Sequence, residues 1–242
     1  AFKPHKDEIQ DTLSRMCEYS PYAYSDEIRR GFITIEGGFR VGIAGTAVEC
    51  KDGISTIKYI NSLNIRISRE LTGCADKVMK YVYGNTLIIS PPGCGKTTIL
   101  RDIIRQISNQ GINISVVDER CEISGMYLGN IQFDLGICTD VLCCYSKSIG
   151  MNMMLRSMGP KIIAVDEIGS DEDILAIHNL LNSGVKIIAT IHCNTIENIL
   201  QKPFIENIVK EKIFDSYIIL NNNKKTGDLY KIYDKELNIV WQ

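Results

Sequence analysis

The run Ser90-Pro-Pro-Gly-Cys-Gly-Lys-Thr-Thr98 constrains this chain more than any other part of it. Gly93 and Gly95 let the backbone bend so that successive N–H groups face one point. A short apolar strand, predicted over Thr86–Ile89, leads into the loop. A helix, predicted over Thr97–Gln110 and stopped by Gly111, leads out of it and adds the positive end of its dipole. A strand, a glycine-rich turn and a helix opening on Lys and Thr make a phosphate-binding loop. The residues expected around the phosphates are Ser90, Pro91, Pro92, Gly93, Cys94, Gly95, Lys96, Thr97 and Thr98, and ATP is the expected ligand. Lys96 is placed to reach the β- and γ-phosphates, and Thr97 to offer its hydroxyl to Mg²⁺. Ser90 stands where such loops usually begin with Gly, at the loop entrance and away from the phosphates.

Three further strand ends carry polar residues. Lys161-Ile-Ile-Ala-Val-Asp-Glu-Ile168 is an apolar strand closing on two acids. Asp166 is positioned to hold Mg²⁺ and Glu167 to act as general base on the attacking water. Adjacent acids point opposite ways along a strand, so both can serve one site only where the strand ends, and Gly169 supplies that ending. Val116-Val-Asp-Glu-Arg-Cys-Glu122 closes another strand with Asp118, Glu119 and Glu122, each a candidate to approach the γ-phosphate. Ile187–Asn194 ends with Thr190 and His192. In a parallel sheet the carboxyl ends of strands face the ligand crevice, which makes His192 a candidate to sense the γ-phosphate.

The chain divides by texture. An amphipathic helix is predicted over Lys6–Tyr19, followed by strands Gly31–Glu36 and Arg40–Ala44 joined at Gly37-Gly38 and a third strand at Ser62–Ser68. These make a small α+β domain over residues 1–75, with a hinge near Leu71–Asp76 and a short helix over Ala75–Tyr83. Residues 76–242 alternate strands and helices. Ile112–Val117, Ile162–Val165 and Val185–Ile191 are β-branched runs suited to a parallel sheet, with helices at Asp171–Asn182 and Ile205–Lys212. Antiparallel strands at Tyr217–Leu220, Leu229–Tyr233 and Asn238–Trp241 follow, the first two separated by a polar turn at Asn221–Lys225.

Composition narrows the function. A formal net charge of -2 with no basic block argues against duplex nucleic acid as the main partner, so no DNA is expected. No apolar run reaches the roughly 18 residues of a membrane span. No basic-then-apolar leader is visible, and the chain opens on Ala1 rather than Met, which leaves room for a preceding segment. Nine cysteines without a CxxC pair read as small reduced hydrophobes.

With these strand ends in place, residues 76–242 resemble the secretion ATPases of type II, type IV and pilus systems, which are P-loop NTPases. The order matches: the 90–98 loop, the acidic box Asp118–Glu122, Leu155-Arg156 and Pro160 ahead of Asp166-Glu167, and a His box at Ala189–Asn194. FITIEGGFRVGIAG at 32–45, NSLNIRISRE at 61–70, VDERCEI at 117–123 and MLRSMGPKIIAVDEIG at 154–169 bring the resemblance closer to the stage III sporulation protein AA family of endospore-forming bacteria. Two departures from many secretion ATPases are Asp166 where they have Gly, and Ile168-Gly-Ser170 where they often have Ile-Arg-Asp.

The resemblance implies an α/β fold, a RecA-like P-loop core with a mainly parallel sheet plus the small N-terminal α+β domain. It also implies an ATPase that drives a channel between mother cell and forespore. The expected assembly is a homo-oligomer, a hexamer, in contact with membrane channel proteins of a sporulation secretion apparatus. The expected location is cytoplasmic and peripheral, at the inner face of the mother-cell membrane. It brings Arg156 into the candidate site, and it gives Arg66 or Arg69 the part of an arginine that swings toward a triphosphate when the hinge closes. The alternative is an ATP-dependent nucleic-acid remodeller with a similar core, which would need a basic or aromatic single-strand groove.

Overall fold

The structure is a computed structural model that describes residues 4–51, 53–200, 203–221 and 228–242. It forms two compact units, residues up to 69 with 125–133, and residues 70–124 with 134 onward.

In the smaller unit, α1 (Lys6–Met16) and α2 (Ser25–Arg29) pack on an antiparallel sheet of β1 (Phe32–Ile35), β2 (Phe39–Cys50) and β3 (Gly53–Arg66), in that order. Leu13, Cys17, Tyr24, Ile28, Ile33, Val41, Ile43 and Ile60 form its core. The β1–β2 turn falls at Glu36–Gly38, where Gly37 and Gly38 have φ of 82° and 71°. A Cβ on Gly38 would stand 2.5 Å from the Phe133 ring, so only glycine fits there. β2 and β3 run well past the expected strands. Their outer parts, Thr46–Cys50 and Gly53–Lys58, have no buried face, so the alternation that reveals a half-buried strand is missing there. Residues 125–133 come from a later part of the sequence than expected for this unit. Gln132 Oε1 accepts the Gly37 N–H at 2.8 Å, and the Tyr127 hydroxyl donates to the Glu18 carboxylate.

The larger unit contains an eight-stranded sheet. Its elements are β4 (Thr86–Ser90), α3 (Lys96–Ser108), β5 (Ile114–Asp118), β6 (Thr139–Cys143), α4 (Lys147–Met158), β7 (Ile162–Glu167), α5 (Asp171–Asn182), β8 (Lys186–His192), α6 (Ile196–Leu200), α7 (Pro203–Lys210), β9 (Ser216–Leu220), β10 (Leu229–Asp234) and β11 (Ile239–Trp241). The order across the sheet is β11-β10-β9-β4-β8-β7-β5-β6. The six strands from β9 to β6 pair in parallel, and β10 and β11 add an antiparallel edge. The turn expected at Asn221–Lys225 lies, apart from Asn221, outside the described residues.

Both faces of this sheet are covered, which explains its near-continuous apolar strands. Ile88, Val116, Ile162 and Ala164 face α3, which contributes Ile99, Leu100, Ile103, Ile104 and Ile107. Leu87, Ile89, Ile163 and Val165 face α4, α5 and α7 through Met151, Met154, Ile174, Ile177, Leu180 and Ile208. Each such Ile or Leu contributes about 1.5–3 kcal/mol on burial, so the layers hold the strand ends in fixed register.

The helix expected over Ala75–Tyr83 is absent over most of its length. Residues 72–78 are turns, and a single 3₁₀ turn covers Met79–Tyr81. Ala75 and Val78 are buried in the core of the larger unit. The Ala75 N–H donates to Asp102 Oδ2 at 2.8 Å. The Asp102 carboxylate, 4% exposed, also accepts from Arg105 Nε and Nη2 at 2.9 and 2.7 Å and from Gln106 at 3.0 Å. Burial alone would raise the Asp102 pKa, but these donors outweigh it and hold the group below its usual value. A carboxylate so shifted contributes stability that is full above its unfolded pKa, near 4, and is lost as pH falls through the folded value. Asp102→Asn is therefore expected to cost about 2 kcal/mol at neutral pH, and to flatten the loss of stability below about pH 4. Urea unfolding of both proteins across pH 2.5–7 checks this; parallel pH profiles would refute it.

Candidate functional site

The site is built at the carboxyl ends of β4, β5, β7 and β8. β4 delivers the chain to the 91–95 turn, where Gly93 has φ 78° and Gly95, preceding α3, has φ 89°. A Cβ added at Gly93 meets nothing within 4 Å, so the turn borders open space. α3 has no side-chain cap and no acid in its first turn. Its first N–H groups therefore have neither an intrahelical nor a capping partner, and an anion satisfies them. These residues fit the phosphates of a nucleotide.

Lys96 opens α3 and is 8% exposed. Burial lowers its pKa, opposed by the charges of Glu167, Asp166 and Glu122. The parallel pairing of β4 with β8 sets Ser90 opposite His192, which brings His192 Nε2 to 3.2 Å from Lys96 Nζ. With the ammonium as donor, Nε2 accepts and the ring hydrogen belongs on Nδ1, 3.4 Å from the Ser90 carbonyl oxygen. Glu167 Oε2 stands 3.5 Å from the same Nε2. Lys96 Nζ and Glu167 Oε2 thus converge on one imidazole nitrogen between the phosphate loop and the end of β7, and an Nε2 that accepts from Lys96 holds no hydrogen for Glu167.

Asp166 and Glu167 share the strand end as anticipated. β7 breaks register with β8 between Ala164 and Glu167, so that Glu167 lies opposite Thr190. Thr190 donates its hydroxyl to the Asp166 carbonyl at 3.1 Å. The chain then turns into α5, capped where Ser170 Oγ accepts the Asp173 N–H at 3.2 Å. Asp166 is 8% exposed, and among the described residues its buried Oδ1 has no hydrogen-bond partner. Burial pushes its pKa up to about 7, only partly offset by Lys147. A carboxylate this buried, with one oxygen unmet, fits a cation. Among the described residues no three His, Cys, Asp or Glu are grouped to cage a metal by themselves. That suits Mg²⁺, which takes most of its ligands from water and nucleotide phosphates and needs only one or two from protein, here Asp166 and the Thr97 hydroxyl.

The three acids after β5 separate into distinct roles. Asp118 is fully buried and does not face the crevice as expected. Its carboxylate accepts the N–H groups of Glu122, Ile123 and Ser124 at 2.9, 3.1 and 2.8 Å, and the Ser124 hydroxyl at 2.7 Å. Burial raises its pKa and these four donors oppose the rise. Fully buried and with both oxygens accepting bonds that fold its own loop, Asp118 is turned away from the crevice. Glu122 is half-buried; its carbonyl accepts from Arg101 at 2.8 Å, and its carboxylate is felt at Lys96. Glu119 is the acid of this group that opens into the crevice. It lines a cavity of about 490 Å³ with Asp166, Glu167, Asp173, Arg120 and Lys147.

Lys147, the first residue of α4, donates to Glu119 Oε2 at 2.5 Å, and its charge also acts on Asp166 and Asp173. Neither Lys147 nor Arg120 had been assigned a role from sequence, since a lone cation beginning a helix or inside an acidic run carries no motif. Arg156 is a correction in the other direction. It lies nine residues after Lys147 on α4, roughly 13 Å along the axis, exposed and outside the cavity lining of its own chain. Arg66 ends β3 opposite Arg40, and Arg69 follows it; both belong to the smaller unit.

A family model described as sporulation stage III, protein AA, matches residues 3–240. The chain belongs to that family. Stage III sporulation protein AA of Bacillus subtilis (strain 168) is 40% identical over 238 residues, which cover 94% of this chain and 77% of that one. Among solved structures, the Yersinia pseudotuberculosis ATPase DotB aligns with a TM-score of 0.62 at 14% identity, over 96% of this chain and 69% of that one. The pilus retraction motor PilT with bound ADP gives 0.50 at 17% identity, over 75% of this chain and 54% of that one. This family member therefore has the fold of the secretion ATPases, with a large, mainly parallel sheet, and spans little more than half of the pilus protein.

The accounting for Asp118 makes a prediction. Asp118→Ala leaves three N–H groups and one hydroxyl buried without an acceptor and should destabilise the protein by about 3 kcal/mol. The urea midpoint at constant m-value measures this. Unchanged stability with lost nucleotide turnover would return Asp118 to the chemistry.

Proposed function

We propose that the protein is an ATP-hydrolysing motor of a sporulation channel. The observation that carries the reading is the convergence of Lys96 and Glu167 on His192, set between an uncapped helix start and the unmet oxygen of Asp166. Loop N–H groups and Lys96 would hold the β- and γ-phosphates. Thr97 and Asp166 would hold Mg²⁺, which neutralises charge on the phosphate oxygens when bound. Glu167 would accept the proton of the attacking water. His192, in contact with both Lys96 and Glu167, would change partners when the γ-phosphate leaves and carry that event into β8.

The names of the structural relatives, an ATPase and a pilus retraction motor with ADP, support this reading. We propose further that the working form is a homo-hexamer that meets membrane channel proteins, with Arg66 or Arg69 reaching a triphosphate. Among the described residues no helix is long and apolar enough to cross a membrane. The proposed location is peripheral, at the cytoplasmic face of the mother-cell membrane.

Lys96→Ala is expected to abolish ATP binding, because it removes the buried cation that Glu167, Asp166 and Glu122 surround. Glu167→Gln should bind ATP and fail to hydrolyse it, since the amide nearly matches the carboxylate in shape but accepts no proton. Nucleotide titration and phosphate release on the folded variants read the two effects apart, and normal turnover in Glu167→Gln would move the base to Glu119. His192→Ala should slow turnover while leaving ATP affinity within a few-fold, the mark of a group engaged mainly at the transition state; equal losses in both would reduce it to ground-state positioning. Stimulation of the wild type by single-stranded nucleic acid alone would favour the remodelling alternative.

A further inference from the structure

The ATPase reading draws an arginine for the triphosphate from the smaller unit, Arg66 or Arg69, and gives no part to Arg120, which lines the same cavity as Asp166 and Glu167. Arg120 follows Glu119 in the turn after β5, on a loop held from three sides. Asp118 accepts the N–H groups of residues 122–124, and the Asp118 carbonyl accepts those of Cys121 at 3.3 Å and Cys144 at 3.1 Å. The turn is therefore fixed while its side chain is exposed. Arg120 lines the cavity that Asp166 and Glu167 also line. Carboxylates surround that cavity, yet among the described residues Arg120 makes no hydrogen bond or ion pair. The other cations around this loop are already engaged. Lys147 is on Glu119, Arg101 donates to the Ile123 and Glu122 carbonyls at 2.8 Å each, and Arg105 is on Asp102. The charge of Arg120 also reaches Lys96, whose ammonium it acts on in the sense opposite to Glu167, Asp166 and Glu122.

A guanidinium left unpaired beside carboxylates, on a rigid turn at the end of a buried strand, is positioned for an anion that arrives with the substrate. We propose that Arg120 is a catalytic residue that contacts the terminal phosphate of ATP bound to the same chain's 90–98 loop. It would stabilise the charge that develops there during hydrolysis. In that step the water oxygen bonds to the γ-phosphorus as the bond from phosphorus to the β–γ bridging oxygen breaks. The bridging oxygen leaves on ADP with the bond's electron pair, and the water's proton passes to Glu167 and from there to phosphate or solvent. Arg120 forms and breaks no covalent bond. Its planar fork of N–H donors matches two phosphate oxygens at once, which a lysine ammonium cannot do.

The inference rests on the ATPase reading, and the experiment separates the two. Turnover and ATP affinity are measured for wild type, Arg120→Ala, Arg120→Lys and Lys96→Ala, with and without added guanidinium chloride at non-denaturing concentration. We expect Arg120→Ala to bind ATP within a few-fold of wild type and to lose turnover by about 10²–10³-fold, at or below the lower end of what an arginine contributes to phosphoryl transfer. Arg120→Lys should recover little, guanidinium should restore part of the Arg120→Ala rate, and Lys96→Ala should gain nothing from it. A purely structural arginine would not be replaced by a free ion. Mixing Arg120→Ala with Lys96→Ala protein tests the assignment to the same chain: no rate above the sum of the parts is expected. A gain on mixing would transfer Arg120 to a neighbouring subunit's site and overturn the proposal as stated. Wild-type turnover in Arg120→Ala, or a loss of ATP affinity that accounts for the whole loss of rate, would overturn it as well. A wild type that binds ATP without hydrolysing it would refute the ATPase reading itself.

Discussion

The parallel ladder between β4 and β8 places Ser90 beside His192, and the rest of the site takes its positions from that pairing. Once β4 and β8 are neighbours, the loop that leaves β4 must present Lys96 to whatever ends β8. β7, paired on the far side of β8, must then bring Glu167 to the same ring. Nothing in the side chains themselves would hold a lysine, a histidine and a glutamate together in water, where each would be solvated separately. The apolar layers on both faces of the sheet supply the rigidity, because sliding one strand by a residue would turn its core positions outward. The register break between Ala164 and Glu167 is where the β7–β8 ladder yields, and it lets two consecutive acids serve the same crevice.

That arrangement keeps charges where water cannot fully solvate them. Lys96 has its pKa lowered by burial and Asp166 has its own raised to about 7, so both are strained toward their neutral forms. A buried ion without a close partner is costly, and a ligand that supplies the missing countercharge recovers that cost on binding. Phosphates would do so for Lys96 and a divalent cation for Asp166. The site therefore presents a buried cation and a buried carboxylate side by side, which matches the charge pattern of a metal–nucleotide complex.

What could be read from the sequence follows how local each constraint is. The phosphate loop is legible because turn, donor and cation lie within nine consecutive residues. The parallel strands β4, β5, β7 and β8 are legible for a similar reason, since burial on both faces leaves an apolar run, whereas β6, only half-buried along its length, carries no such run and was not expected. The acids after β5 look equivalent in sequence, and only the fold shows Asp118 closing its own loop while Glu119 opens into the cavity. Lys147 was invisible because its partner is 28 residues away, and residues 125–133 because they join a unit whose other members end at residue 69. Arg156 misled in the opposite way. It enters through the family resemblance, but a helix running away from the strand ends carries it off the cavity lining of its own chain.

The loop after β5 then shows why one short stretch can hold opposite charges without their cancelling. Glu119 and Arg120 are consecutive and sit on a turn whose backbone Asp118 has fixed, so they cannot fold back on each other as residues on a flexible loop would. Lys147 takes the Glu119 carboxylate, which removes the nearest acid that Arg120 could have paired with. Asp173 lies close to the Gly169 N–H, accepting it at 3.0 Å, and is engaged in starting α5. The guanidinium is thus kept unpaired by the pairing of its neighbours. With Glu119 and Asp173 engaged elsewhere, an incoming anion meets an open guanidinium without first displacing either carboxylate.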